Sequence, residues 1–306
     1  AMSVSAAERR LRASGVGHVR GAEPMTRHTT FRIGGPADLF VSCDTFADLS
    51  EALRVLDEEG VEWMTVGKGS NLLVDDEGYR GAVVELGREF KMHRVDGTRV
   101  KAGAGCILAY VVGDAFSRGL AGMEFAVGVP GTLGGALAMN AGSRDAWIGD
   151  VTESVTLYVP GTGLERMPGS DIAWGYRSSG LPDKGVIVEA VLRLERADQE
   201  VIRARMEESL ARRKRTQPLG MPSAGSVFKN PEGDSAGRLI EAAGLKGARH
   251  GGAMVSDVHA NFIVNTGGAT ANDVLRLMLD MKMTVKDRYG IELTPEVRLL
   301  GSFDSA

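Results

Sequence analysis

Two glycine-rich segments about sixty residues apart carry the first chemical signal: Gly67-Lys68-Gly69-Ser70-Asn71, and the run from Gly128 to Gly142, Gly-Val-Pro-Gly-Thr-Leu-Gly-Gly-Ala-Leu-Ala-Met-Asn-Ala-Gly. Glycine lets backbone approach a ligand closely and adopt positive φ, so successive N–H groups can converge on a phosphate. The first segment follows the apolar run Val61–Val66 and leads into Leu72-Leu73-Val74, which reads as strand–loop–strand. A Rossmann fingerprint needs a helix after the glycines and the spacing G-x-G-x-x-G. Two loops without it point to a flavin rather than a Rossmann-bound nicotinamide. Either segment alone reads equally well as a tight turn. Together they weigh more, because 41 of 306 residues are glycine, about twice the usual ~7%.

Two polar clusters lie outside those loops. Trp174-Gly175-Tyr176-Arg177-Ser178-Ser179 joins a hydrogen-bonding aromatic to a guanidinium able to grip a carboxylate with two bonds. By itself such a pair is as readily a surface feature. In Ser223-Ala224-Gly225-Ser226-Val227-Phe228-Lys229-Asn230-Pro231 a hydroxyl follows a glycine on an expected short strand, with Lys229 and Asn230 beside it. The plain alternative is a hairpin with a solvated lysine. Arg212-Arg213-Lys214-Arg215 ends a charged helix, where cations complement the macrodipole, and such a cluster also suits a diphosphate. Arg238 fits either a helix surface or a substrate contact.

These groups must be positioned by a mixed α/β chain. Thr45 caps a helix through Phe46, Leu49, Leu53 and Leu56 that stops at Gly60. Strands are expected at 61–66, 72–74 and 82–86, with Asp96-Gly97 turning a hairpin between 93–95 and 98–101. A helix over 107–118 and strands at 151–159 and 185–194 follow, the last two separated by a turn at 160–163. Residues 198–217 read as one charged helix capped by Asp198, and a domain boundary falls near residue 200. Beyond it come a helix capped by Ser235, strands at 253–255 and 261–264, a long helix over 272–288 and a last strand at 296–300. His250 and His259 flank an apolar hairpin and read as structural or rim residues.

Composition bounds the function. Hydrophobic content of 43% and charged content of 25% fit a soluble, cytoplasmic enzyme of two or three domains. A net charge of −4 gives no reason to expect nucleic acid or an anionic membrane surface. Two distant cysteines, Cys43 and Cys106, exclude a disulfide framework, and the five histidines lack metal-ligand spacing, so no metal is expected. Glu8, Arg9, Arg10 and Arg12 stand where a signal peptide needs an apolar core. The uncharged stretch from Phe125 to Ser143 is long enough to span a bilayer, but Pro130 and five glycines make it a loop plus a short helix.

In order, His28-Thr29-Thr30-Phe31-Arg32-Ile33-Gly34-Gly35, Gly67–Asn71, Gly128–Gly142, Tyr176–Ser179, Ala224–Pro231, Ala236–Gly247 and Pro295-Glu296-Val297-Arg298 resemble the motifs of the UDP-N-acetylenolpyruvoylglucosamine reductases. The resemblance covers about residues 25 to 300. It implies an α+β fold like the vanillyl-alcohol-oxidase flavoproteins: FAD-binding subdomains at 1–90, with an N-terminal helix, and 91–199, then an α+β substrate-binding domain at 200–306. It implies non-covalent FAD against Gly67, Lys68, Gly69, Ser70 and Asn71, and against Gly128, Pro130, Gly131, Thr132, Gly134, Gly135, Ala136, Ala141, Gly142 and Ile187. Related oxidases tether flavin through a histidine in the first loop, where this chain has Ser70. A Cβ at Gly69 or Gly134 is expected to fill space that the pyrophosphate needs.

The implied reaction is NADPH-driven reduction of an enolpyruvyl-UDP-sugar for peptidoglycan synthesis, and through it cell-wall biogenesis, cell shape and division. Arg177, Ser226 and Glu296 are the implied catalytic residues; Tyr176, Lys229, Asn230 and Arg238 are the implied substrate contacts. Hydride addition leaves charge on the carbon next to the carboxylate, so something must stabilise that charge and something must deliver a proton. Arg177 suits the first task. Ser226 suits the second only with neighbouring donors such as Lys229. Glu296, beside a developing anion, needs a proton or a bridging donor; without the resemblance it reads as a strand-edge residue near Arg298. With no second nicotinamide motif, NADPH and sugar nucleotide are expected to share one site in turn, in a monomer. Asn230-Pro231 lies close to the helix at Ser235, and no tyrosine-bearing loop separates Arg177 from Ser226, so the chain resembles the shorter subfamily and a tyrosine lid does not carry over. Another sugar or alcohol oxidase of the same fold is the alternative. A non-catalytic nucleotide-binding protein fits less well with Arg177, Ser226 and Glu296 all retained.

Overall fold

The computed structural model describes residues 2–143 and 146–303. The chain forms two compact units, each assembled from separated stretches. The first takes the residues up to Gly21, Leu39–Gly67 and Gly81–Ala211; the second takes Ala22–Asp38, Lys68–Arg80 and the residues from Arg212.

In the first unit Thr45 and Asp48 form a reciprocal capping box that starts the helix Phe46–Glu58. Leu49, Ala52, Leu53, Val55 and Leu56 put one face of that helix into the core. The N-terminal helix Met2–Ser14 is tied to it where Arg10 donates to Glu58 and Glu59, at 2.5 and 2.6 Å. A four-stranded sheet has the order His18–Pro24, Pro36–Cys43, Tyr79–Leu86, Trp63–Val66, the last two running parallel.

A five-stranded antiparallel sheet has the order Gly163–Pro168, Thr152–Val159, Val186–Arg193, Arg99–Gly103, His93–Asp96. Its tight hairpin sits one residue later than expected. Asp96 pairs with Arg99, leaving Gly97-Thr98 as the loop, with φ +60° at Gly97. That is the arrangement of a type II′ turn, which wants glycine at its first central position. The strands at 18–24, 36–43 and 163–168 were not expected from the sequence.

The second unit builds on a three-stranded sheet, Arg249–His250, Ala253–Val255 and Ile263–Asn265. Ser235 caps the helix Ala236–Ala242, and Thr270 with Asp273 boxes the start of Ala271–Tyr289. Asp76 adds a second cap to the longer helix, accepting N–H bonds from Ala271 and Asn272 at 2.8 and 3.0 Å. Gly290, at φ +68°, ends it with a bond to the Lys286 carbonyl. Leu72–Val74 pairs in parallel with Arg298–Leu300. Phe31, Ile33 and Leu73 join Phe228, Leu239, Ile240, Ile263, Leu277 and Met281 in one apolar core. Each such side chain contributes roughly 1.5–3 kcal/mol by leaving water.

The charged helix spans Gln199–Thr216, with the Asp198 carboxylate on the Glu200 N–H. The stretch 125–143 contains the short helix Leu133–Ala138, and among the described residues no helix is long and apolar enough to cross a membrane.

Candidate active site

The first glycine loop is flanked by strands as expected, but they belong to different sheets: Trp63–Val66 pairs with Tyr79–Leu86, and Leu72–Val74 pairs with Arg298–Leu300. Gly67 falls in the first unit and residues 68–71 in the second.

Within the first unit the two glycine segments meet. A Cβ on Gly67 would collide with Thr132 Oγ1, the atom that also caps Leu133–Ala138 by accepting the Gly135 N–H at 3.3 Å. Residues 131–134 are laced to the stretch after Arg99–Gly103: Leu133 and Gly134 donate to the carbonyls of Cys106 and Ala104 at 2.9 and 2.8 Å, and Leu108 donates to Gly131 at 3.1 Å. Ile187 is buried in the neighbouring strand, just before a bulge at which Val188 accepts the Ala104 N–H.

The glycines differ in what surrounds them. Gly135 is exposed, and its Cβ would meet only Thr132 Oγ1 at 3.5 Å, an ordinary contact. At Gly134 a Cβ would sit 2.9 Å from Ala104 Cβ, and at Gly69 it would strike the His28 carbonyl. Those two positions therefore crowd protein, and valine there tests loop folding rather than phosphate space. Gly128, Pro130, Gly135 and Lys68 are exposed, Gly131 is half-buried, and Ala136 is buried beneath them. Exposed backbone with little side chain above it suits a pyrophosphate group.

Arg177 sits at the tip of a tight turn in the same unit. Gly175 and Ser178 exchange backbone bonds, N–H to carbonyl at 2.9 Å one way and 3.3 Å the other. Arg177 occupies the third position at φ +55°, where a type II turn usually holds glycine or asparagine. Its guanidinium lies 5.5 Å from the Trp147 ring and 5.3 Å from the Tyr176 ring, and these rings meet edge to face. Both contacts are attractive for a cation.

The second glycine segment holds this turn from below. Asn140 Nδ2 donates to the Gly175 carbonyl at 3.0 Å, and Ser179 Oγ donates to the Ala138 carbonyl at 3.0 Å. Ala141 receives the Ile148 N–H, and Gly142 bridges to Trp147, so this end of the segment also places the tryptophan.

In the second unit Ser226 and Glu296 lie on adjacent segments. Ser226 is not on a regular strand; residues 226–228 touch Phe262 and Pro295 only through isolated bridges. Glu296 N–H donates to the Val227 carbonyl at 2.7 Å, and Lys229 N–H to the Thr294 carbonyl at 2.8 Å. Asn71, from the first glycine loop, donates its amide to the Glu296 carbonyl at 3.1 Å and accepts the Arg298 N–H at 3.0 Å. Ser226, Lys229 and Glu296 are half-buried.

Asn261, 2% exposed, supports that segment: its side chain accepts the Phe228 N–H at 3.0 Å and donates to the Phe228 carbonyl at 2.8 Å. Its own N–H donates to His259 Nδ1 at 3.1 Å. Burial, with Lys246 adding to it, holds the His259 imidazole below its usual pKa.

Two expected substrate contacts have structural partners. Asn230 Oδ1 accepts the Ala236 N–H at 3.0 Å. Arg238 pairs with Asp234, whose carboxyl is pulled down to about 2 chiefly by that guanidinium. Arg212, Arg213, Lys214 and Arg215 lie in or beside the last turn of their helix, with Arg213 also near Gln217. Arg177 and Tyr176 thus belong to one unit, and Ser226, Lys229, Asn230, Arg238 and Glu296 to the other. Asn140, Trp147 and Asn261 were not singled out in the sequence. Only Asn140 left a signal, as a residue type tolerant of the left-handed region within the second glycine-rich run.

Comparison with known proteins gives the family. Residues 37–163 match the family described as FAD binding domain, and residues 217–300 match the C-terminal domain of UDP-N-acetylenolpyruvoylglucosamine reductase. UDP-N-acetylenolpyruvoylglucosamine reductase 2 of Symbiobacterium thermophilum is 48% identical over 93% of this chain and 93% of its own. The reductase of Bacillus subtilis is 42% identical over 94% of this chain and 95% of its own. The crystal structure of the Thermus caldophilus reductase superposes with a TM-score of 0.81 at 37% identity, covering 92% of this chain and 98% of that one.

Proposed function

This chain belongs to the UDP-N-acetylenolpyruvoylglucosamine reductase family, an FAD-dependent oxidoreductase family of peptidoglycan synthesis, and from that premise we propose how its own residues divide the reaction. Its fold is the mixed α+β FAD-binding fold that the resemblance implied. Non-covalent FAD, with NADPH as its reductant, would supply a hydride to the terminal carbon of the enolpyruvyl double bond. The displaced electron pair then moves to the adjacent carbon and its carboxylate.

Arg177 receives that carboxylate and balances the growing charge. Ser226 Oγ–H delivers the proton to the carbon, completing the saturated lactyl ether, and Lys229 helps to stabilise the serine oxygen left behind. Glu296 acts beside Ser226 at the reacting carbon. Lys68, Ser70 and the glycine backbones of residues 67–71 and 128–136, exposed at Gly128 and Gly135, would hold the flavin pyrophosphate; Ala141, Gly142 and buried Ile187 would line the same site. Tyr176, Asn230 and Arg238 contact the sugar nucleotide. Residues 1–90 and 91–199 serve the flavin, with Tyr176 and Arg177 as the exceptions that serve the substrate, and 200–306 serve the substrate, in a cytoplasmic monomer.

The observation that supports the reading is the 2.7 Å bond from Glu296 N–H to the Val227 carbonyl, which makes the backbone of Glu296 a neighbour of the segment that carries Ser226. Stopped-flow spectroscopy separates the two halves of the reaction. With Ser226→Ala, NADPH bleaches the flavin at a near-normal rate, but colour returns ~10²–10⁴-fold more slowly on adding the enolpyruvyl substrate. Equal damage to both halves, or to neither, means that the proton comes from elsewhere.

A further inference from the structure

Arg177 holds a backbone conformation that an L-residue with a long side chain adopts only when its surroundings impose it. The two bonds between Gly175 and Ser178 close the turn, but they would close a relaxed turn equally well. What distinguishes this one is an external tie to its first carbonyl.

We propose that Asn140 is a positioning residue for Arg177: its side-chain amide fixes the Gly175 carbonyl, and so the turn that aims the guanidinium. The inference rests on the reading of Arg177 as the group that receives the substrate carboxylate. Asn140 is 6% exposed, and both ends of its amide are engaged. Nδ2 donates to Gly175 at 3.0 Å, while Oδ1 accepts the Gly149 N–H at 3.1 Å. Asn140 is itself left-handed, at φ +43°.

The space around the amide admits little else. A Cβ on Gly149 would lie 3.0 Å from Asn140 Oδ1 and 2.7 Å from Trp174, and a Cβ on Gly175 would lie 2.8 Å from Ser178 Oγ. Gly149 belongs to the short helix Ile148–Val151 that follows Trp147, and Trp147 N–H is held by the Asp150 carboxylate at 2.8 Å. One amide therefore ties the Arg177 turn to the helix next to the ring on which the guanidinium rests. The same segment carries Gly134 and Gly135, so flavin-facing backbone and the anchor of the carboxylate clamp are six or fewer residues apart in sequence.

The test is a double-mutant cycle read by equilibrium binding rather than turnover. Asn140→Asp keeps the acceptor for Gly149 but turns an oxygen toward the Gly175 carbonyl. Calorimetry on the oxidised, FAD-loaded protein gives the dissociation constant of enolpyruvyl-UDP-GlcNAc and, separately, of UDP, which lacks the carboxylate. Asn140→Asp weakens the enolpyruvyl ligand about tenfold, because a carboxylate oxygen facing the Gly175 carbonyl in place of an N–H donor loosens the turn that aims Arg177, and leaves UDP unchanged. In an Arg177→Ala background the same substitution adds less than about a twofold loss, because both act through one group.

A loss shared by UDP, a full loss persisting without Arg177, or no loss overturns the proposal. If Asn140→Asp does not fold with flavin, Asn140→Gly keeps the left-handed backbone without the amide and enters the same cycle. If Arg177→Ala alone binds the enolpyruvyl ligand normally, it is the reading of Arg177 that fails.

Discussion

Asn140 and Asn261 are both buried amides that hold backbone far away in sequence, 35 and 33 residues distant, yet the segments they hold differ in kind. The Arg177 turn is left-handed at its tip and braced by aromatic rings. The Ser226 segment has no left-handed residue beyond Gly225, and Asn261 binds Phe228 through both N–H and carbonyl, much as a neighbouring strand would. The difference matches the tasks proposed for them. A guanidinium on a flexible stem must be aimed before charge appears, and strain held by a rigid surround is one way to preset it. A serine hydroxyl has a short reach and needs only backbone that stays put.

The largest effect expected from this contrast is on stability. Asn261→Ala strands both polar groups of buried Phe228 and costs about 2–4 kcal/mol in denaturant unfolding, whereas Asn140→Gly leaves the Gly175 carbonyl bonded to Ser178 and costs nearer ~1 kcal/mol. Equal losses would erase the distinction between the two anchors. A smaller effect, of opposite sign, is expected at the tip. Arg177→Gly relieves the left-handed strain, worth ~1–2 kcal/mol, and forfeits cation–π contacts of similar or smaller size. The variant is therefore expected to unfold no earlier than the parent while losing its grip on the substrate carboxylate. A clear drop in stability would show that the turn is not strained.

The smallest effect is a pH dependence confined to the Ser226 side. His259 Nδ1 accepts the Asn261 N–H, so protonation there breaks a bond behind the segment. Burial first, then Lys246, lowers its folded pKa, with Glu241 opposing. The unfolded chain, with His near 6.5, then binds more protons just below that value, so this contribution is complete above it and is lost as pH falls through the folded pKa. Unfolding curves on either side of that window should differ less for His259→Gln. An unchanged difference would remove His259 from the account.

What could be read from residue order was local. The Thr45 and Ser235 caps and the two-strand flank of residues 67–71 appear as expected, because each depends on neighbours within a few positions. Gly163–Pro168 escaped because its exposed residues show no apolar alternation, and Pro36–Cys43 because it opens on proline and then buries a continuous Leu39-Phe40-Val41 run. Ser226 and Arg177 stood out by type, and Glu296 only by resemblance. Asn140 and Asn261 did not, since an asparagine that anchors backbone 35 or 33 residues away looks like any other until the chain folds.

The interleaved make-up of the second unit bears on how the chain is made. Phe31, Ile33 and Leu73 leave the ribosome early, but their core partners from Val227 to Val297 are among the last third to be translated. The strand Leu72–Val74 waits equally long for Arg298–Leu300. At ~5–20 residues per second that interval is about 10–45 s, during which apolar side chains and an unpaired strand edge stand open. A nascent chain stalled before residue 298 would keep that edge bare, and a fragment beginning at residue 212 would lack Phe31, Ile33 and Leu73 altogether.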